Sequence, residues 1–342
     1  MLLYIYPVET AFTQRDVAML HDSYKVKCLK FTQSPVLLPF FFLLQFFQLL
    51  LFLPFTNKYL CFFGGYHSIL PVWFGQKFGI KTYIQSGGTD ATNMPAIQYG
   101  NFRKKWLRKA TVYSFQNCTK ILSVADSLVG YDYKYDENIP TKQGLKNLIP
   151  SLQTPIEVIY NGFDHEFWKD LGQERTPNSF ITIAKGISHP TRALIKGIDM
   201  IEFLAASFPD CKFTIVGDQN YPIKSKNIHL IGELNADSLK LELNKHRFYL
   251  QLSMSEGFPN ALAEAMLCGC IPIGSAVGDI PTIIGETGLI LPKKDVNLLK
   301  FKLKNFLSIA NQNQLRSCAR NRIVDNFTFE KRKQALLKVL AE

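Results

Sequence analysis

At 342 residues the chain is long enough for two domains with separate cores, and 47% hydrophobic with 20% charged residues excludes a disordered protein. The net charge of +11 asks for an acidic partner: a nucleotide diphosphate, an anionic membrane or nucleic acid. The seven cysteines are odd in number and scattered, Cys268 and Cys270 stand too close for a Cys-x-x-Cys pair, and no histidine cluster has metal-ligand spacing; neither a disulfide framework nor a metal site is expected, and a reducing cytoplasm is.

In chain order, Leu2-Leu3-Tyr4-Ile5-Tyr6 reads as a first strand without the marks of an export signal. Residues 14–22 read as a helix and residues 26–31 as the next strand. Strands and helices alternating at this size point to a doubly wound parallel sheet. No Gly-x-Gly-x-x-Gly follows the first strand, which excludes the dinucleotide dehydrogenase fingerprint. Residues 36–55 are the most apolar stretch and carry no charge. Pro39 and Pro54 leave residues 40–53 as uninterrupted helix, about 21 Å long at about 1.5 Å per residue, against a hydrocarbon core of about 30 Å. Gln45 and Gln48 put a polar notch on one face. The expectation is a helix lying in a membrane surface, ahead of a buried core helix and of a membrane span.

Residues 59–63 end in Gly64-Gly65-Tyr66-His67-Ser68, at the strand end where such sheets bind ligands. A lone His67 there is more often structural than catalytic. The strand at 81–85 runs into Ser86-Gly87-Gly88-Thr89-Asp90, with Asp90 either facing a ligand or capping the next segment. Asn101-Phe102-Arg103-Lys104-Lys105-Trp106-Leu107-Arg108-Lys109 interleaves cations with aromatics; an anionic bilayer fits best beside the Phe-rich stretch, ahead of nucleic acid or a solvated face. Residues 120–124 read as a strand, and 131–155 as polar and irregular, without an Asp-x-Asp pair. Residues 172–179 read as a linker. Further on, 180–184, 213–217 and 270–274 read as strands, 316–322 as a basic solvated helix face, and 327–340 as a final helix.

The most informative stretch follows a strand-like run at 248–254: Ser255-Glu256-Gly257-Phe258-Pro259-Asn260-Ala261-Leu262-Ala263-Glu264-Ala265-Met266. It reads as strand, glycine turn and helix. Pro259 suits a first helical position, and Gly257 lets the backbone approach a ligand. The helix N-terminus makes an anion site, with Glu256 at its rim and Glu264 about two turns along.

This segment resembles the donor-binding signature of the family 4 retaining glycosyltransferases, and Ile156-Glu157-Val158-Ile159-Tyr160-Asn161-Gly162-Phe163-Asp164 resembles that family's hinge segment. The resemblance covers nearly the whole chain and is strongest over 156–291. It implies an α/β GT-B fold: two Rossmann-like domains facing a cleft, an acceptor-binding one at 1–170 and a nucleotide-sugar-binding one at 178–325, with the C-terminal helix 327–342 returning to the first. It implies that Glu256 faces the donor sugar and Glu264 the ribose, within a donor site that includes Gly257, Phe258, Pro259 and Asn260. Lys196-Gly197 matches the family's Lys-Gly. The partner cation is Arg192 or Lys185, with Arg192 favoured because a guanidinium chelates phosphate oxygens bidentately. Ile231 falls beside the base. Thr10-Ala11-Phe12 replaces a glycine pair, and Thr89-Asp90 replaces a histidine, leaving Asp90 or His67 to fill its catalytic place.

The implied activity is retaining transfer of a sugar from a nucleotide diphosphate sugar, UDP or GDP, to an acceptor hydroxyl, with no cofactor and no metal. The acceptor expected is a lipid-linked or membrane-associated glycan of cell-surface polysaccharide synthesis. The protein is then peripheral on the cytoplasmic face of the inner membrane, touching anionic lipid through 40–53 and 103–109, with no nucleic acid partner. A GT-B isomerase and a non-catalytic sugar-nucleotide or membrane-binding scaffold stay open as alternatives.

Overall fold

Runs of buried apolar residues such as Leu2–Tyr6 make the central strands, as a parallel sheet covered on both faces requires, while edge strands such as Val26–Lys30 are partly exposed. The computed structural model describes residues 1–309 and 311–342, which divide into two α/β units. The first comprises Met1–Asp132, Lys142–Tyr160 and Arg332–Glu342; the second comprises Tyr133–Thr141 and Asn161–Lys331. The chain thus crosses between units at Tyr160–Asn161, and residues 172–179 lie inside the second.

The first unit runs β1 (Leu2–Tyr6), α1 (Ala11–His21), β2 (Val26–Lys30), α2 (Leu38–Phe52), β3 (Lys58–Phe62), α3 (Tyr66–Phe78), β4 (Lys81–Ser86), α4 (Lys105–Asn117), β5 (Lys120–Ser123), β6 (Tyr131–Asp132), β7 (Lys142–Gln143), α5 (Leu145–Leu148) and β8 (Ile156–Val158). Its main sheet has the order β2-β1-β3-β4-β5-β8, with parallel pairing throughout. Right-handed crossovers put helices that advance along the sheet in one direction on one face. Accordingly α2, α3 and α4 pack side by side.

Two helix starts differ from the sequence expectation. Helix α1 begins at Ala11, not near Gln14, because Thr10 and Thr13 form a reciprocal capping box. The segment that stands where relatives carry a glycine pair is therefore a helix N-terminus, and Phe12 stacks on Phe62 at 4.9 Å. Helix α2 begins at Leu38 because Pro39 sits in its first turn, where a missing N–H breaks no hydrogen bond. With the 3₁₀ turns at Pro35–Leu37 and Leu53–Phe55, the apolar helical run is Pro35–Phe55, 21 residues of mean hydropathy 2.4, long enough to cross a membrane. Both of its ends feed strands of one sheet, so α2 is a crossover helix of the fold.

The second unit runs β9 (Thr176–Ile183), α6 (Pro190–Ile195), α7 (Ile198–Ser207), β10 (Lys212–Val216), β11 (Ile228–Ile231), α8 (Ala236–Lys245), β12 (His246–Gln251), α9 (Asn260–Leu267), β13 (Ile271–Ser275), α10 (Ile280–Ile284), β14 (Leu289–Leu291), α11 (Val296–Leu307) and α12 (Gln312–Asn326). The parallel order β11-β10-β9-β12-β13-β14 is that of a Rossmann sheet. Stacked Phe213, Phe180 and Phe248, with centroids 4.9 and 5.0 Å apart, fill its middle. The arginines of α12 are not a solvated face. Arg320 donates to the Leu267 carbonyl at the end of α9 at 2.6 Å, and Arg316 pairs with Asp170 at 2.6 Å. Cations at a helix C-terminus satisfy carbonyls that have no partner within the helix.

The last helix, α13 (Phe329–Ala341), returns to the first unit from Arg332 onward. Arg332 is buried, pairs with Asp16 of α1 at 3.0 Å and donates to the Ile159 carbonyl at 2.9 Å. Gln85 donates to the same carboxylate at 2.6 Å and accepts from the Tyr4 hydroxyl at 2.9 Å.

Candidate functional site

In an open parallel sheet, ligands bind outside the carboxyl ends of the strands where the order reverses. In the second unit that point lies between β9 and β12. Lys185-Gly186 leave β9 there, and the turn from Ser253 to Pro259 leaves β12. Helix α9 starts at Asn260, with Pro259 one position earlier at the N-cap, in extended backbone and without a capping side chain. The first amides of α9 therefore have no partner within the helix, which leaves a positive, hydrogen-bonding end.

Glu256 is the centre of the polar contacts. Its Oε1 accepts from Lys196 Nζ at 2.6 Å, Ser253 Oγ at 2.9 Å and Gln251 Nε2 at 3.1 Å. The carboxylate is 15% exposed and the Lys196 side chain 32% exposed, so the pair stands at a rim and not in the core. Gln251 also accepts from the Tyr249 hydroxyl at 3.2 Å. Burial pushes the Tyr249 hydroxyl far above its ordinary range, so it stays a proton donor.

Two glycines let the backbone close around this pair. A Cβ at Gly197 (φ +69°) would lie 2.0 Å from the Leu252 carbonyl oxygen, and one at Gly278 (φ +55°) 2.0 Å from that of Glu256. The left-handed backbone thus falls at Gly197 and Gly278, not at Gly257, whose carbonyl accepts from Asp279 N–H at 3.2 Å.

Arg192 and Lys185 belong to a neighbouring cavity of about 500 Å³ at the ends of β9, β10 and β11, which Asp218 and Glu233 also line. The Arg192 guanidinium lies against Gly186, and Lys185 pairs with Glu233 at 2.7 Å in solvent. Asp218 accepts from Ser188 N–H at 2.7 Å, and its backbone donors hold its carboxyl below the usual range. Ile231 ends β11, half-buried beside this cavity.

Glu264 is half-buried on α9, and Asn260 Oδ1 accepts from Asn161 Nδ2 at 2.7 Å. The Phe258 ring is buried, packed 5.7 Å from Phe163 and 5.2 Å from Phe327. Its place in the turn is that of an anchor.

Asp90 and His67 lie in the first unit. Asp90 is fully buried and accepts from the N–H groups of Gly64, Gly87 and Gly88 at 3.0, 3.2 and 3.1 Å, and from Ser86 Oγ at 3.2 Å. It holds the loops after β3 and β4 together, and burial raises its carboxyl to about 6. His67 is also buried, with Nε2 2.7 Å from the Phe62 carbonyl, and burial pushes its imidazole down to about 4. Nε2 therefore carries the proton, and the ring is neutral.

Sequence reasoning missed Gln251 and Ser253. The signal present was a glutamine and a serine at the end of an otherwise apolar strand, a costly place for them unless they are paired.

Residues 185–308 match the family model described as Glycosyl transferases group 1. A human phosphatidylinositol N-acetylglucosaminyltransferase chain is 25% identical over 156 residues, 42% of this chain and 32% of that protein, so the match spans about a third of the relative. Among solved structures, sucrose-phosphate synthase from Thermosynechococcus elongatus superposes with a TM-score of 0.76 at 13% identity, covering 100% of this chain and 98% of that one. HepE from Anabaena, solved in complex with UDP and glucose, gives 0.71 at 12% identity, covering 100% and 99%. The chain therefore has the GT-B fold, and its residues 185–308, which contain the Glu256–Glu264 segment, are similar to the glycosyl transferases group 1 model.

Proposed function

We propose that the protein is a retaining glycosyltransferase that moves a sugar from a UDP- or GDP-sugar to a hydroxyl of a lipid-linked or membrane-associated glycan, in cell-surface polysaccharide synthesis at the cytoplasmic membrane face. The observation that carries this reading is the Lys196–Glu256 pair, at 2.6 Å, at the switch point of the second sheet. As the bond to the diphosphate breaks, negative charge grows on the leaving group and positive charge on the sugar. Lys196, Arg192 and the amide end of α9 are suited to the first, and Glu256 to the second; fixed groups of this type stabilise charge without reorganising. They supply what a metal ion would, so the reaction proceeds without one.

The membrane side of the reading rests on α2. Its polar Gln45 is turned inward, donating to the His67 carbonyl at 2.9 Å, while Phe40, Leu43, Phe47, Leu50 and Leu51 are exposed. An exposed apolar face of this size marks an interaction surface. On the same layer α3 exposes Trp73 and Phe78, and α4 exposes Trp106 with Lys109 4.9 Å over its ring. Apolar side chains beside Trp and Lys/Arg suit an anionic bilayer surface. The human relative's name, which joins a sugar transferase to phosphatidylinositol, supports a lipid acceptor.

The test is a screen of UDP-, GDP- and ADP-sugars in excess EDTA, scored by thermal shift and nucleotide release. A bound donor at a hundred times its Kd stabilises the fold by about 2.7 kcal/mol. Turnover persists in the chelator. Turnover restored only by magnesium or manganese overturns the metal-free part, and no release from any donor leaves a non-catalytic scaffold.

A further inference from the structure

Between β6 and β7 the chain makes an excursion, Tyr133–Thr141, that belongs to the second unit although the residues on either side belong to the first. Its ends are closed by the Tyr133 N–H donating to the Thr141 carbonyl at 2.6 Å. Tyr133, Tyr135 and Ile139 are all buried, so this strap is folded in despite the polar, irregular look of its sequence.

The Tyr133 hydroxyl donates to the Met254 carbonyl at 3.0 Å. Met254 stands two residues before Glu256, and its own N–H donates at 2.8 Å to the carbonyl of Ile195, the residue before Lys196. The backbone of Met254 therefore ties the stretch leading to Lys196 to the stretch leading to Glu256, and Tyr133 holds that tie from the other side. The neighbouring tyrosine differs. The Tyr135 carbonyl accepts from Lys294 N–H at 2.8 Å, but its buried hydroxyl has no partner among the described residues.

We infer that Tyr133 is a positioning residue for the Lys196–Glu256 pair, acting through the Met254 carbonyl; the inference rests on the donor-site reading above. Removing the hydroxyl leaves a buried carbonyl unsatisfied at the point where both chain segments are joined. Charge stabilisation by groups set at a fixed geometry is sensitive to displacements well under an ångström to about 1 Å.

Tyr133→Phe and Tyr135→Phe keep the same rings, so the two variants separate the hydroxyl from the packing. Hydrogen exchange of peptides covering 194–197 and 252–257 reads the tie directly, without any need for turnover. Tyr133→Phe is expected to speed exchange there about tenfold and lower kcat about tenfold, with the UDP-sugar KM changed less, at a temperature where the variant is fully folded. Tyr135→Phe leaves both unchanged. In a Glu256→Gln background, Tyr133→Phe adds no further loss of kcat, because both changes act on one unit. Unaltered exchange in Tyr133→Phe, or equal effects of the two tyrosines, overturns the inference. Faster exchange in Tyr133→Phe together with no nucleotide release by the unaltered protein keeps the strap's hold and removes the donor-site reading instead.

Discussion

Two glutamates eight positions apart have different surroundings, and that difference sets what their loss does. Glu264 is half-buried on α9, and under the proposed function it contacts the ribose, which changes little between bound donor and transition state. Glu264→Ala is expected to raise the donor KM at least tenfold, the worth of a charged hydrogen bond of about 1.5–3 kcal/mol, with little change in kcat. Glu256 is held by three donors, and under the proposed function it faces the growing positive charge of the sugar, so Glu256→Gln is expected mainly to lower kcat. Initial-rate kinetics with the donor varied distinguishes the two, and the reverse pattern would exchange their roles. In the first unit, His67 and Asp90 make opposed contributions to the pH dependence of stability. His67 is neutral when folded, so its contribution is complete above 6.5 and is lost as the pH falls toward about 4. The folded Asp90 carboxyl keeps its proton up to about 6, so its contribution is complete below 3.8 and is lost as the pH rises through about 6. Each amounts to roughly 3 kcal/mol at about 1.4 kcal/mol per pKa unit, and the two nearly cancel between pH 4 and 6. His67→Gln should unmask Asp90: thermal melts of that variant become less stable from pH 4 to 6, where the unaltered protein changes little.

At the scale of the element, α2 is a helix whose polarity is reversed relative to a soluble surface helix. Its sequence is apolar nearly all round, and the inward face is set by the Gln45 bond to the α3 backbone and by Phe46 packing 5.5 Å from Phe74. Burying one exposed Phe or Leu is worth about 1.5–3 kcal/mol, so each side chain that enters a bilayer contributes a factor of about ten or more in partitioning. Flotation with anionic vesicles is expected to show binding that weakens with salt. The double variant Leu43→Asp, Leu51→Asp should abolish it, and Lys105→Glu, Lys109→Glu should weaken binding to anionic vesicles while leaving the residual binding to neutral ones. Equal binding of the unaltered protein to neutral and anionic vesicles at every salt concentration would remove the basic run from the account.

At the scale of the molecule, the first unit is assembled from three separate pieces of chain, and the last of them enters through Arg332. Its buried ion pair with Asp16 closes a network that includes Gln85 and Tyr4. Breaking such a pair strands a charge, whereas replacing both partners with apolar groups need not destabilise. Arg332→Met should therefore cost about 3–5 kcal/mol in urea unfolding followed through Trp73 and Trp106, both in the first unit, and Asp16→Leu combined with Arg332→Met should recover most of it.

What the sequence determined by itself was local. Strand-length apolar runs placed most strands within a residue or two, with β9 beginning four residues ahead of the run at 180–184 and β12 ending three residues before the run at 248–254 does, and the Ser255–Met266 pattern marked a turn and helix after a strand, because such signals depend only on near neighbours along the chain. Helix starts at Thr10 and Pro39 were less legible, since a cap is decided by one side-chain hydrogen bond or by one proline's place within the first turn. Tertiary structure decided which groups meet. Lys196 and Glu256 stand sixty positions apart, Tyr133 and Met254 one hundred and twenty-one, and Asp16 and Arg332 three hundred and sixteen. It also turned Phe258 into the core, Gln45 inward and Asp90 onto its own loops. No local pattern carries this information, because strand order sets which chain segments adjoin, and a side chain's partner then depends on the packing of elements far apart in sequence.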